Sequence, residues 1–347
     1  MKVVFDKIAS TTRNAKVPRE AILSAHVPAK EGTVVAVRVK GHKTTYNSVE
    51  DTHGRMTTLN DGDVLAGVLG TRRALRGYAG VVPEKVEVGD HLDILNLGGV
   101  LGRCTAGNVE LGPPLQAEVL GAVLSFPVLG ERTGVPATIT DNAVAWGKSL
   151  APSAPLVYVA GTCMQAGKTF ACCEIIRYLT RHGRRVAATK LTGVSLLRDT
   201  LGMEDRGAFK TLCFTDAGVV STTPAVSVSV AKGLLNALNE EEPDCIVVEL
   251  GDGILGEYGV QSILDDEELM AAGKVHVMCA GDPVAAWGAA ELYRNRFKRP
   301  VHAITGPATD NGVGKDFIEG KIGVPAMNAR TDYERLGAFV EEALFGA

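Results

Sequence analysis

The sequence predicts an α/β chain, with a mostly parallel sheet flanked by helices in its second part and a smaller, mostly-β domain before it. Three observations predict this. Residues 1–150 hold short apolar runs separated by Gly, Asp and Pro, several alternating apolar and polar side chains, which is the period of a half-buried strand. Further on, continuous apolar runs of strand length alternate with stretches of helical spacing, as expected when helices cover both faces of a parallel sheet. Between the two lies Leu150-Ala-Pro-Ser-Ala-Pro155, whose prolines cannot continue a helix and mark a linker. The expected domains are 1–150, a candidate substrate or dimerisation domain, and 151–347.

The runs around 33–39, 81–88, 91–97 and 117–124 read as strands of a small barrel or sandwich, and the polar stretch 41–60 as a long loop. After the linker, Leu156–Ala160 reads as a buried strand and Lys168–His182 as a helix ending at Gly183. Arg185–Thr189, Cys245–Leu250, Val275–Ala280, Val301–Thr305 and Ile322–Ala326 follow as strands, with helices near Val284–Phe297 and Asp332–Leu344.

Composition narrows the classes. The chain has 347 residues, 46% of them hydrophobic, which is enough to bury a core in each of two domains. A net charge of −4 argues against a broad basic surface for nucleic acid. The seven cysteines lie mostly in apolar runs without zinc-ligand spacing, which reads as reduced thiols. The N-terminus lacks the apolar core of a secretory signal, and no run of 18 apolar residues could span a membrane, so a cytoplasmic chain is expected.

The chemistry concentrates in Gly161-Thr-Cys-Met-Gln-Ala-Gly167-Lys168-Thr169. The general phosphate-loop pattern places two glycines five positions apart before Lys-Ser/Thr. Gly167, Lys168 and Thr169 match it, while the first glycine lies one residue early, at Gly161. The context is right: a buried strand enters the loop and a helix leaves it, so that backbone N–H groups face the phosphates. This makes the second domain a P-loop sheet. Gly161, Thr162, Gln165, Ala166, Gly167, Lys168, Thr169 and Phe170 are expected to line a nucleotide. Lys168 would supply charge to the outer phosphates and Thr169 a hydroxyl for Mg²⁺.

Gly-Thr, four residues and Gly-Lys-Thr resemble the loop of dethiobiotin synthetase, an ATP-dependent enzyme that closes a urea ring through a carbamate and a mixed phosphoric anhydride. The resemblance covers most of 156–330 and none of 1–150. It implies that Lys190, after the second strand, contacts substrate and phosphate, and that Glu249, opening Glu249-Leu-Gly-Asp-Gly253, binds Mg²⁺. The sequence departs from that family at Cys163 and Gln165, where the family has acidic residues, and at Val194, where it has Ser with Ser195 here next to it. These departures point to a different substrate. A fainter likeness is to P-loop proteins related to D-glutamate N-acetyltransferase.

A second metal carboxylate is sought among Asp199, Asp205 and Asp216, with Asp216 placed at a strand end after Phe214. Asn328 is a candidate to bond the base, and equally a cap for the last helix. The Asn-Lys-x-Asp guanine motif is absent after the late strand, which favours ATP. Arg72, Arg73 and Arg76 could bind a carboxylate or form a solvated helix face. The expected function is a Mg-ATP-dependent ligase or phosphotransferase that activates a small carboxylate or carbamate as an acyl phosphate, with Lys168 and Lys190 acting at the phosphates. The expected partners are a small carboxylate or amine substrate and a second copy of the chain, with no nucleic acid and no membrane. The alternatives are a nucleotide-switch ATPase or GTPase, and an acyltransferase whose P-loop holds a CoA thioester.

Overall fold

The computed structural model describes residues 1–75, 77–128, 130 and 133–346. The chain divides into two compact units. The first is Met1–Val144 with Val194–Arg198 and Thr215–Ser221, and the second is Ala145–Gly193, Asp199–Phe214 and Thr222–Ala347.

In the first unit the alternating runs become an 11-stranded sheet. Gln116–Ser125 pairs antiparallel with Val34–Lys40, which pairs antiparallel with Val64–Leu69. Val64–Leu69 runs parallel to Val100–Gly107, which pairs with His91–Ile94, and that strand returns to Gln116–Ser125. The pairing therefore closes into a small barrel. One face of these strands buries Val35, Val37, Val39, Leu65, Leu92, Ile94, Leu101 and Val119 together, as period-2 alternation requires. The opposite side collects Phe5, Leu23, Val34, Val68, Val123, Ile139 and Val220.

Two expectations for this unit are corrected. The polar stretch 41–60 is not all loop, because Ser48–Glu50 and Met56–Thr58 form an antiparallel hairpin. Arg72 and Arg73 lie on a strand rather than a helix face. Arg72 is buried and donates to Tyr46 Oη at 2.8 Å and to the Leu95 carbonyl. Arg76 lies outside the described residues.

The second unit holds a six-stranded, all-parallel sheet in the order Lys210–Cys213, Val186–Thr192, Cys245–Leu250, Leu156–Gly161, Gly273–Cys279, Ala303–Thr305. The two central strands, Leu156–Gly161 and Cys245–Leu250, are buried at every position, which is why they read as unbroken apolar runs. Lys168–Arg181 and Tyr333–Phe345 pack on one face through Ile175, Ile176, Leu179, Leu336 and Val340. Two late elements differ from expectation. The helix near 284–297 is Pro283–Leu292 followed by a π-turn, Tyr293–Phe297. Ile322–Ala326 is no strand: a π-turn ends at Ile322, and only Ala326 bridges to Ile304. Pro325 within the run lacks the N–H that a ladder needs. Among the described residues no helix is long and apolar enough to cross a membrane.

Candidate functional site

The site forms at the carboxyl end of the parallel sheet, where open α/β sheets bind ligands. Leu156–Gly161 ends in the loop, and the helix Lys168–Arg181 begins beyond it. Gly167 precedes that helix at φ 95°, a left-handed conformation that a side chain would oppose. The early glycine has a physical reason. A Cβ at Gly161 would lie 2.8 Å from Lys168 Cδ, so the missing side chain makes room for the lysine stem. The buried Lys168 ammonium donates to the Cys163 carbonyl at 2.8 Å, across the loop.

The other loop residues divide by role. Thr162 anchors the loop: its N–H donates to the Cys279 carbonyl at 2.9 Å and its hydroxyl accepts from Gly281 N–H at 3.3 Å. Gln165 is exposed at φ 63°, a strained conformation for a non-glycine residue and one that collects at ligand-binding loops. Ala166 is buried. Phe170 is exposed in the first helical turn, with the Arg330 guanidinium 5.8 Å from its ring centre.

Glu249 and Lys190 meet beside the loop. They are register partners on neighbouring parallel strands. Thr169 Oγ1 donates to Glu249 Oε1 at 3.1 Å, and Lys190 Nζ lies 3.9 Å from the same oxygen. Glu249 is 2% exposed, and its Oε2 is buried with no hydrogen-bond partner among the described residues. Burial raises the Glu249 pKa above the usual carboxylate range, and Asp199 adds to this, against Lys190, Lys168 and the Thr169 hydroxyl. Burial alone would lower the Lys190 pKa, but Asp199 and Glu249 outweigh it and hold the ammonium charged. Lys190 is ion-paired to Asp199.

A buried carboxylate with one oxygen unpartnered among the described residues, beside a threonine hydroxyl, fits a hard divalent cation. Thr169 and Glu249 would hold Mg²⁺, with Asp199 the neighbouring carboxylate. Asp216 belongs to the first unit, where Arg13 binds it at 2.8 Å. Asp205 is exposed at the end of the helix Arg198–Glu204. Asn328 is buried. Its NH₂ donates to Thr309 Oγ1 at 3.1 Å and Asp310 Oδ1 at 2.9 Å, and its carbonyl accepts from Arg330 and Thr331 N–H. These bonds tie together the loops after Ala303–Thr305 and after Ala326. Burial pushes the Cys279 thiol up to about 12 and the Cys172 thiol well above its ordinary range, whereas Cys163, within the loop, is exposed.

Sequence reasoning missed Glu50 and the two segments that join the first unit. Ser195 N–H donates to the Val220 carbonyl at 2.8 Å. Ser195 Oγ accepts from Thr11 at 2.9 Å and from Thr215 at 2.8 Å, and its carbonyl accepts from Asn96 at 2.7 Å. Polar residues such as Thr11 and Asn96, scattered through a β region, carry no spacing signal for such partners.

No protein-family model matches the chain and no curated protein matches it. Solved structures do. The signal recognition particle receptor FtsY from Elizabethkingia anophelis is 12% identical over 59% of this chain and 69% of its own, with a TM-score of 0.38. The signal recognition particle 54 kDa protein from Aeropyrum pernix K1, in complex with GDP, is 16% identical over 56% and 47%, with a TM-score of 0.38. The hydrogenase maturation factor HypB from Archaeoglobus fulgidus is 13% identical over 55% and 90%, with a TM-score of 0.34.

Proposed function

We propose that the second unit binds a nucleoside triphosphate with Mg²⁺, with ATP the favoured nucleotide, and transfers its terminal phosphoryl group to a small carboxylate or carbamate. One observation carries this reading: Glu249 Oε1 accepts from Thr169 at 3.1 Å while Oε2 is buried without a partner among the described residues. The loop amides and Lys168 hold the outer phosphates, with Lys168 exchanging the Cys163 carbonyl for a phosphate oxygen. Mg²⁺, when bound, neutralises charge on the phosphate oxygens. Lys190, held charged by two carboxylates, stabilises the charge that spreads over the transferring group. The acceptor carboxylate oxygen bonds to the terminal phosphorus as the bridging oxygen leaves with the nucleoside diphosphate. An amine then attacks the acyl carbon, loses a proton and expels inorganic phosphate. This is catalysis by positioning and electrostatics. The likeness of the loop, Lys190 and Glu249 to dethiobiotin synthetase supports the reaction class, and the departures at Cys163, Gln165 and Val194 support a different substrate.

A second reading, a nucleotide switch, is favoured by a separate observation. The segments that follow Val186–Thr192 and Lys210–Cys213 belong to the first unit, so a change at the phosphate end has a covalent route into it. Phosphate release with Mg²⁺, ATP or GTP, ammonia and a panel of small acids separates the readings. Release matched one-to-one by an amide or urea product supports the ligase, and slow release indifferent to any acid supports the switch. No metal-dependent release with either nucleotide would sink both.

A further inference from the structure

The carboxylate of Glu50 has no part in the chemistry above, yet it is fully buried and takes three hydrogen bonds. Its Oε2 accepts from the Ser10 hydroxyl at 2.5 Å and from Leu197 N–H at 2.6 Å, and its Oε1 accepts from Arg198 N–H at 2.7 Å. Glu50 ends the strand Ser48–Glu50, 147 and 148 residues before the two amides it holds. All of these groups belong to the first unit, and the chain passes into the second at the next peptide bond, Arg198–Asp199. Burying a carboxylate is costly unless donors surround it. Here the donors include two consecutive backbone amides, those of Leu197 and Arg198.

We infer that Glu50 is a positioning residue for the phosphate site: by holding the amides of Leu197 and Arg198, it fixes the approach of Asp199 to Lys190. The consequence runs through charge. Lys190 is shared between Asp199, its ion-pair partner, and Glu249, at 3.9 Å. With Asp199 fixed, the lysine is held back from Glu249, which keeps its lone pairs for a cation. If residues 197–199 loosen, the ammonium moves onto Glu249 and competes with Mg²⁺. Glu50 thus acts on metal use, not on the loop that grips the phosphates. This inference rests on the proposed Mg-nucleotide reading.

The test compares wild type, Glu50→Ala and Glu50→Gln in the full chain by calorimetry with ATP, in EDTA and in Mg²⁺. Hydrogen exchange is followed on 197–204 and on 168–181. In Glu50→Ala the affinity in EDTA stays within about threefold of wild type. The affinity gained on adding Mg²⁺ falls at least tenfold, and exchange quickens in 197–204 but not in 168–181. Glu50→Gln, which keeps one accepting oxygen, recovers part of the gain and serves as the test if the alanine variant fails to fold. An unchanged Mg²⁺ gain in a cooperatively melting variant overturns the inference. So does an equal loss with and without Mg²⁺, the mark of a merely structural role. A wild-type chain that binds no nucleotide overturns the underlying reading, and this inference with it.

Discussion

Lys190 and Glu249 face each other in register on adjacent parallel strands, and the lysine Nζ lies 3.9 Å from Glu249 Oε1 while it is ion-paired to Asp199. One partly buried cation therefore serves two carboxylates. Removing it leaves the buried Glu249 carboxylate facing a second, partly buried carboxylate, a break that costs at most about 3–5 kcal/mol. Lys190→Met should lose stability of that order in urea denaturation at pH 7. Asp199→Asn added to it should restore part of the loss, since contacting charges couple. A loss below about 1 kcal/mol, far under that range, would show the three groups to be independent.

Glu249→Gln should separate metal use from folding. The Glu249 pKa is raised by burial, so the stability it lends at acid pH is lost as pH rises through the folded-state value. Glutamine has no proton to lose. The metal-free variant should therefore melt at neutral pH no lower than wild type, while losing the rise in melting temperature that Mg²⁺ with ATP gives. An unchanged response to Mg²⁺ in the variant would remove Glu249 from the site.

A second pH effect lies away from the phosphates. His276 is buried against Tyr158, Tyr293 and His302, and its Nδ1 has no hydrogen-bond partner among the described residues. Burial lowers its pKa from 6.5 to about 3, with His302 and Arg299 adding to this. The unfolded chain thus binds a proton that the folded chain refuses. Stability falls as pH drops below 6.5, by about 1.4 kcal/mol per pH unit from this group. His276→Phe should flatten the pH dependence between 6.5 and 5 by about 2 kcal/mol in total. Parallel curves for variant and wild type would exclude the mechanism.

The parts of the fold that the sequence made legible are those governed by local periodicity. Leu156–Gly161 and Cys245–Leu250 are buried at every position and read as continuous runs. Gly167, Lys168 and Thr169 stand at a strand-to-helix turn that the pattern anticipates. Nonlocal pairing leaves no such local period. The hairpin Ser48–Glu50 with Met56–Thr58 sits in a polar stretch whose strands are three residues each, too short for a period to register. Asp216, read as standing at a strand end, lies in the turn after Lys210–Cys213, and its partner, Arg13, lies 203 residues away. Ser195 and Glu50 are legible only through contacts with Thr11, Thr215 and the Leu197 and Arg198 amides.

The central claim is that the turn 161–169 grips a polyphosphate through its amides and Lys168. Calorimetric titration of the wild-type chain and Lys168→Ala with ATP and with GTP, in Mg²⁺, tests it most directly. The account predicts saturable heat for wild type with at least one nucleotide. It predicts affinity weakened about 10- to 100-fold in the variant, the worth of a hydrogen bond to a charged group. Wild type that gives no heat with either nucleotide, or a variant that binds as tightly as wild type, would contradict it.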